Sequence, residues 1–244
     1  LDPPAARHAK AGAWWLGIGG ATPALDRWRQ NNRPTHMSKF AMETVDRVDR
    51  PTTLIIDEEV PRIPKRASFF ERPVHGDLGK KTQHERTRFA FKHPLATAMV
   101  KQIMAMVPHQ DGPVADSESG SCGDAGENTR ALKSLSYLLG AELTGVCEIP
   151  DYAWYSHVDN GKPVDCHHKY AVVMLIDQEY DTMEGASGDD FISGAQSMRA
   201  YMRGALIAGV MGEHLRSLGF SSRAQTNADS EVLQLRSEER RVGK

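Results

Sequence analysis

The chain predicts an α+β fold, a sheet domain flanked by helices, and three stretches carry that expectation. KYAVVMLID at 169–177 is β-branched and apolar at its centre with polar ends, which predicts a strand covered on both faces. LATAMVKQIMAMV, following Pro94, repeats its apolar residues at helical spacing, with the proline in the first turn where its missing N–H does no harm. The longest helical signal covers 191–218 and is stopped by Gly219. Helices alternating with strands place these stretches around one sheet.

The remaining elements follow in chain order. Prolines 3, 4, 23, 34, 51, 61, 64 and 73 interrupt residues 1–92, so that segment reads as an irregular arm. Within it, 38–47 is a short helix capped by Ser38 and 52–56 a short strand. A helix at 94–107 opens the domain assigned to 93–235. A Gly, Ser and Asp loop at 111–127 follows, then an amphipathic helix at 128–139 closed by Gly140, and a buried strand at 143–149. A loop at 185–190 precedes the long helix. RSEERRVGK at 236–244 offers no core pattern and reads as a solvated tail, or as residues foreign to what precedes it.

Composition narrows the function. With 30 basic against 32 acidic residues, no whole-molecule field favours nucleic acid or an anionic membrane as partner. No apolar run approaches the roughly 20 residues that span a bilayer, and the first 20 residues lack a secretory pattern, so a soluble protein is expected. Leu1 stands where an initiator Met is expected, so the start looks like the interior of a longer sequence. Cys122, Cys147 and Cys166 are odd in number and widely spaced, which fits a reducing, cytoplasmic setting better than a disulfide framework. Four cysteines are the usual set for one iron–sulfur cluster, so this chain alone is expected to hold none.

METVDRVDRPTTLI beginning at Met42, GAELTGVCEIPDYAWYS at 140–156 and LRSLGFSSRAQTNADSEVL at 215–233 together resemble the reductive dehalogenase family, in particular its cytoplasmic, catabolic members acting on halogenated phenolic acids. The resemblance runs to about Leu233. It implies a nitroreductase-like domain that binds cobalamin, a corrinoid, without its usual lower base. Two iron–sulfur clusters, fed by a reductase or ferredoxin, would reduce the cofactor. The family's cysteine-rich cluster motifs follow the stretch that ends here at Leu233, so the chain is expected to be an incomplete piece, inactive by itself. Two further functions are weighed against dehalogenation: a corrinoid-binding module without catalysis, and an epoxyqueuosine-reductase-like corrinoid reductase.

The reaction implied is the replacement of halogen by hydrogen on an organohalide, which takes two electrons and one proton. The protein must supply a proton donor and a pocket. The resemblance implies Tyr201 as that donor. Ala205, Ala208 and Gly212 follow it at i+4, i+7 and i+11, a line of small side chains that would let a flat group lie close. By residue type alone Tyr201 is a core tyrosine and the small line is ordinary helix packing. The resemblance also puts Asn227, in TNAD, at the substrate and corrinoid pocket; by type it reads as a turn or cap residue. Phe69 and Phe70, in ASFFERP, are candidates for an aromatic wall over the substrate, or else an anchor for their loop. The DCHH run at 165–168 lacks a second ligand group at metal-binding spacing, and the two histidines read as a loop edge near the corrinoid. Trp14 and Trp15 read as an anchor.

Overall fold

The computed structural model describes residues 56–119, 124–178 and 191–233. The chain divides into two compact units, 1–56 and 57–244, and the account below concerns the second. The expectations for the helix at 38–47, the strand at 52–56, Trp14 and Trp15, Cys122, the loop at 185–190 and the tail at 236–244 lie outside the described residues, apart from Ile56, which is not in a strand.

Short turns of 3₁₀ helix at Asp57–Glu59, Lys65–Ala67 and Arg72–His75 lead into α1 (Lys80–Glu85) and α2 (Arg88–Phe91). α3 (Pro94–Met106) has its proline in the first turn, as predicted, and tightens into a 3₁₀ turn at Val107–His109. α4 (Ala125–Leu139) precedes β1 (Leu143–Glu148), β2 (Tyr170–Leu175) and α5 (Phe191–Ser217). The two strands pair antiparallel, with Leu143 opposite Leu175 and Glu148 opposite Tyr170. Helices with a small antiparallel sheet make the α+β arrangement expected.

α4 starts three residues earlier than its periodicity predicted. Asp124 caps it by accepting the Glu127 N–H at 2.8 Å, which satisfies one of the donors a helix start leaves over. Gly140 and Gly219 end their helices as predicted, each with positive φ. In both, the N–H of the residue after the glycine reaches back five residues: Ala141 to the Ser136 carbonyl at 2.9 Å and Phe220 to the Leu215 carbonyl at 3.0 Å.

β2 differs from expectation. Val172 and Met174 point toward α4 and α5, whereas Val173 and Leu175 are 51% and 57% exposed, so only one face of the strand is covered. β1 departs likewise from its buried reading: Thr144 is buried, while Val146 and Cys147 are exposed. A run such as VVML satisfies either situation, because periodicity reports which residues share a face and not what lies over it.

α5 packs on two sides. Met198, Tyr201 and Met202 meet Ala90 of α2 and Ala96 and Ile103 of α3. Ile207 and Met211 meet Ala141, α4 and the inner face of β2. Arg203 fastens this second side, donating to the Gly140 carbonyl and to Glu142, both at 2.9 Å. A third cluster, around Trp154, Tyr155 and Val164, is closed by Ile63 and by Val232 and Leu233. Among the described residues no helix is long and apolar enough to cross a membrane.

Gly219 also sits where a Cβ would lie 2.6 Å from the Ser117 carbonyl oxygen and 2.7 Å from Glu118 Cα, both backbone atoms that cannot rotate aside. Gly161 has positive φ too, with nothing within 4 Å. Gly161→Ala should therefore cost about 1–2 kcal/mol, the backbone term alone, and Gly219→Ala distinctly more. Urea unfolding of the two variants measures the difference, and equal losses would show that the 117–118 backbone yields.

Candidate functional site

Tyr201 is half-buried on the α3 side of α5 and packs on the cluster of Ala90, Ala96, Ile103 and Met198. Ala228, next to Asn227, packs on the same cluster. The fold thus brings Tyr201 and the turn carrying Asn227 to one seam. Phe69 and Phe70 stand outside that cluster, in an exposed turn, with their rings edge to face at 5.4 Å.

The line of small residues after Tyr201 does not lie open along its length. Ala205 is buried, and a Cβ on Gly212 would meet Arg216 Nη1 at 3.3 Å and the Ala224 backbone nitrogen at 3.7 Å. The far end of the line is therefore filled by the protein's own 222–226 segment. Close approach there serves packing, contrary to the reading that a flat group could lie along it.

The turn at 226–229 is built by residues other than Asn227. Thr226 donates its N–H to the Asp229 carbonyl at 3.0 Å, and the Asp229 N–H returns to Thr226 Oγ1 at 3.3 Å. Asn227 Oδ1 is buried and accepts no hydrogen bond from the described residues. An acceptor removed from water without a donor costs about 1–3 kcal/mol. Such an atom fits a site where a ligand brings the donor.

Beside this turn lies a polar group that the sequence showed only in part. Arg223 pairs with Asp229 at 2.7 Å and with Glu231 at 3.1 Å. His168 Nε2 is 3.2 Å from Ser221 Oγ, and its ring lies 4.4 Å from that of His167, which in turn rests on Trp154 at 5.3 Å. The histidines do line a loop edge. Among the described residues no three His, Cys, Asp or Glu side chains converge as a metal site would require.

Burial holds the His168 pKa below its ordinary value, and the His167 ring and Arg223 push the same way against Glu231 and Asp111. His168 should therefore titrate below about 6.5, and His167→Asn should move it upward by removing a neighbouring positive charge. The folded pKa is the lower one, so the stability linked to neutral His168 is complete above the unfolded value and is lost as pH falls through the folded one. Proton–nitrogen correlation spectra of the imidazoles read both effects. Titration above the ordinary value would mean that Glu231 outweighs burial.

No family model matches this chain, and no curated protein matches it. Solved structures do. The chain is similar to the catabolic reductive dehalogenase NpRdhA, N-terminally tagged, with 50% identity and a TM-score of 0.75 over 89% of this chain and 32% of that one. It is similar to the same protein in complex with 3-bromo-4-hydroxybenzoic acid, at 49% identity and TM-score 0.75 over 91% of this chain and 32% of that one. A third structure, of a reductive dehalogenase suggesting a mechanism for B12-dependent dehalogenation, gives 49% and 0.73 over 89% and 32%. The chain thus spans about a third of the length of the structures it matches. Identity of this order across nine-tenths of the sequence, with a shared backbone, establishes that the chain belongs to the reductive dehalogenase family.

Proposed function

We propose that the whole protein is a cytoplasmic, cobalamin-dependent oxidoreductase that replaces halogen by hydrogen on a halogenated phenolic compound. In this reading 93–235 belongs to its nitroreductase-like, corrinoid-binding domain, with 1–92 an arm and 236–244 a charged tail. The observation that carries it is the 49% identity to a dehalogenase in complex with 3-bromo-4-hydroxybenzoic acid.

The residues present fit the cofactor at one point. Asn227 Oδ1 is a buried acceptor without a donor among the described residues, and a corrinoid amide arm or a phenolic hydroxyl provides one. Cobalamin, when bound, supplies the electrons that cleave the carbon–halogen bond. The proton comes from Tyr201: its O–H transfers hydrogen to the carbon that loses halide, and the phenolate is reprotonated from solvent. Phe69 and Phe70 supply an aromatic wall. The iron–sulfur clusters do not fit this chain, because its three cysteines fall short of the four thiolates one cluster takes.

Positioned proton donation contributes about 10² to 10⁴ in rate. In the full-length, cobalamin-loaded protein, Tyr201→Phe should keep the visible spectrum of bound corrinoid and lose halide release by a factor in that range. The substitution removes one hydroxyl and preserves the ring that packs on Met198 and Ile103. Halide release near the wild-type rate would remove Tyr201 from the chemistry.

A further inference from the structure

Gln110 follows the 3₁₀ turn that ends α3 and is 2% exposed. Its side chain commits both N–H donors and its oxygen to one distant segment. Nε2 donates to the Ala224 carbonyl at 2.7 Å and to the Asp229 carbonyl at 2.8 Å, and Oε1 accepts from Thr226 Oγ1 at 3.1 Å. Its backbone carbonyl takes the Ala224 N–H at 2.8 Å. A primary amide offers two N–H donors and one oxygen, and here all are engaged.

We infer that Gln110 is the positioning residue of the 224–229 turn and, through it, of Asn227. An asparagine in a turn commonly hydrogen-bonds its own backbone. Here Thr226 and Gln110 hold the turn, so the Asn227 amide is spared that task and its Oδ1 has no donor among the described residues. The turn is also held from its outer side by Arg223 on Asp229. Gln110 differs from that pair in being fully desolvated and in touching both ends of the turn, donating to the carbonyls of Ala224 and Asp229. The inference rests on the reading of Asn227 as a pocket residue.

The test uses two substitutions in the full-length protein. Gln110→Met keeps the length of the side chain and removes all three hydrogen bonds. Gln110→Glu keeps the shape; as a carboxylate it opposes two carbonyls, whereas once protonated it regains one donor and one acceptor, and burial raises the pH at which it protonates. Amide hydrogen exchange of a peptide covering 224–229, with one from α4 as internal control, reads the turn directly. Turnover of 3-bromo-4-hydroxybenzoic acid in cobalamin-loaded protein reads the consequence.

The expected result for Gln110→Met is exchange at 224–229 faster by tenfold or more, on the order of one lost buried hydrogen bond, with α4 unchanged, and kcat lower by roughly 10- to 100-fold. Gln110→Glu should match it at about pH 8 and recover in both readouts toward about pH 5, a pH profile the methionine variant lacks. Unchanged exchange at 224–229, or exchange that rises equally in α4, overturns the inference. So does a loosened turn with unaltered kcat, because Gln110 would then position nothing the reaction uses. Wild-type protein that releases no bromide sinks the dehalogenase reading instead, and the exchange and its pH recovery still decide whether Gln110 holds the turn.

Discussion

The guanidinium of Arg216, 1% exposed in the last turn of α5, is the contact on which the seam between α3 and α5 depends. It donates to the carbonyls of His109 and Gln110, each at 3.3 Å, to that of Ser222 at 3.1 Å, and to Glu213 at 2.7 Å. His109 and Gln110 lie at the end of α3, where carbonyls have no partner within their own helix. One buried cation therefore completes the end of one helix, ties it to the end of another, and fixes the start of the segment that carries Asn227. A planar fork with five donors can meet carbonyls from several directions at once, which a lysine ammonium cannot. Two backbone approaches make room for it: a Cβ on Gly112 would lie 3.2 Å from Nε, and one on Gly212 would lie 3.3 Å from Nη1.

α5 is organised by having different neighbours along different faces. Its α3 side carries Met198 and Tyr201, its sheet side Ile207 and Met211, and its foot Gly212 and Arg216. A helix buried on more than one side needs no single apolar stripe, and the small residues between its large ones admit neighbours from several elements. Tyr201 lies where the first of these faces meets the Asn227 turn through Ala228. The position of the phenol is set by apolar packing, and that of the turn by buried amides and carbonyls.

What could be read before folding was local chemistry. Pro94, Gly140 and Gly219 mark helix ends by what their own backbones can do, and all three mark them correctly. The start of α4 is legible too, since Asp124 with Glu127 three residues later is a capping pattern, although strong periodicity begins only at Asn128. The cover over β2 was not legible, because VVML suits a strand with one buried face or two. Gln110 gave no signal at all: its partners are 114 to 119 residues further along the chain. Tyr201 and Asn227 stand out only through the resemblance; residue type alone leaves them a core tyrosine and a turn residue.

The third cluster has a consequence for the order in which the chain can assemble during synthesis. Arg62 donates to the carbonyls of Tyr155 and Val164, both at 2.7 Å, and the Ser156 N–H reaches the Ile63 carbonyl at 2.8 Å. From the other direction, the Tyr155 N–H pairs with the Glu231 carbonyl at 2.9 Å and the Leu233 N–H with the Ala153 carbonyl at 2.7 Å. Trp154 is thus enclosed by residues about ninety positions before it and about eighty after it. A nascent chain emerging from the ribosome can form α3 and α4 from neighbouring residues, but the indole stays uncovered on one side until Val232 and Leu233 have left the exit tunnel. Ile63, made far earlier, must wait for both.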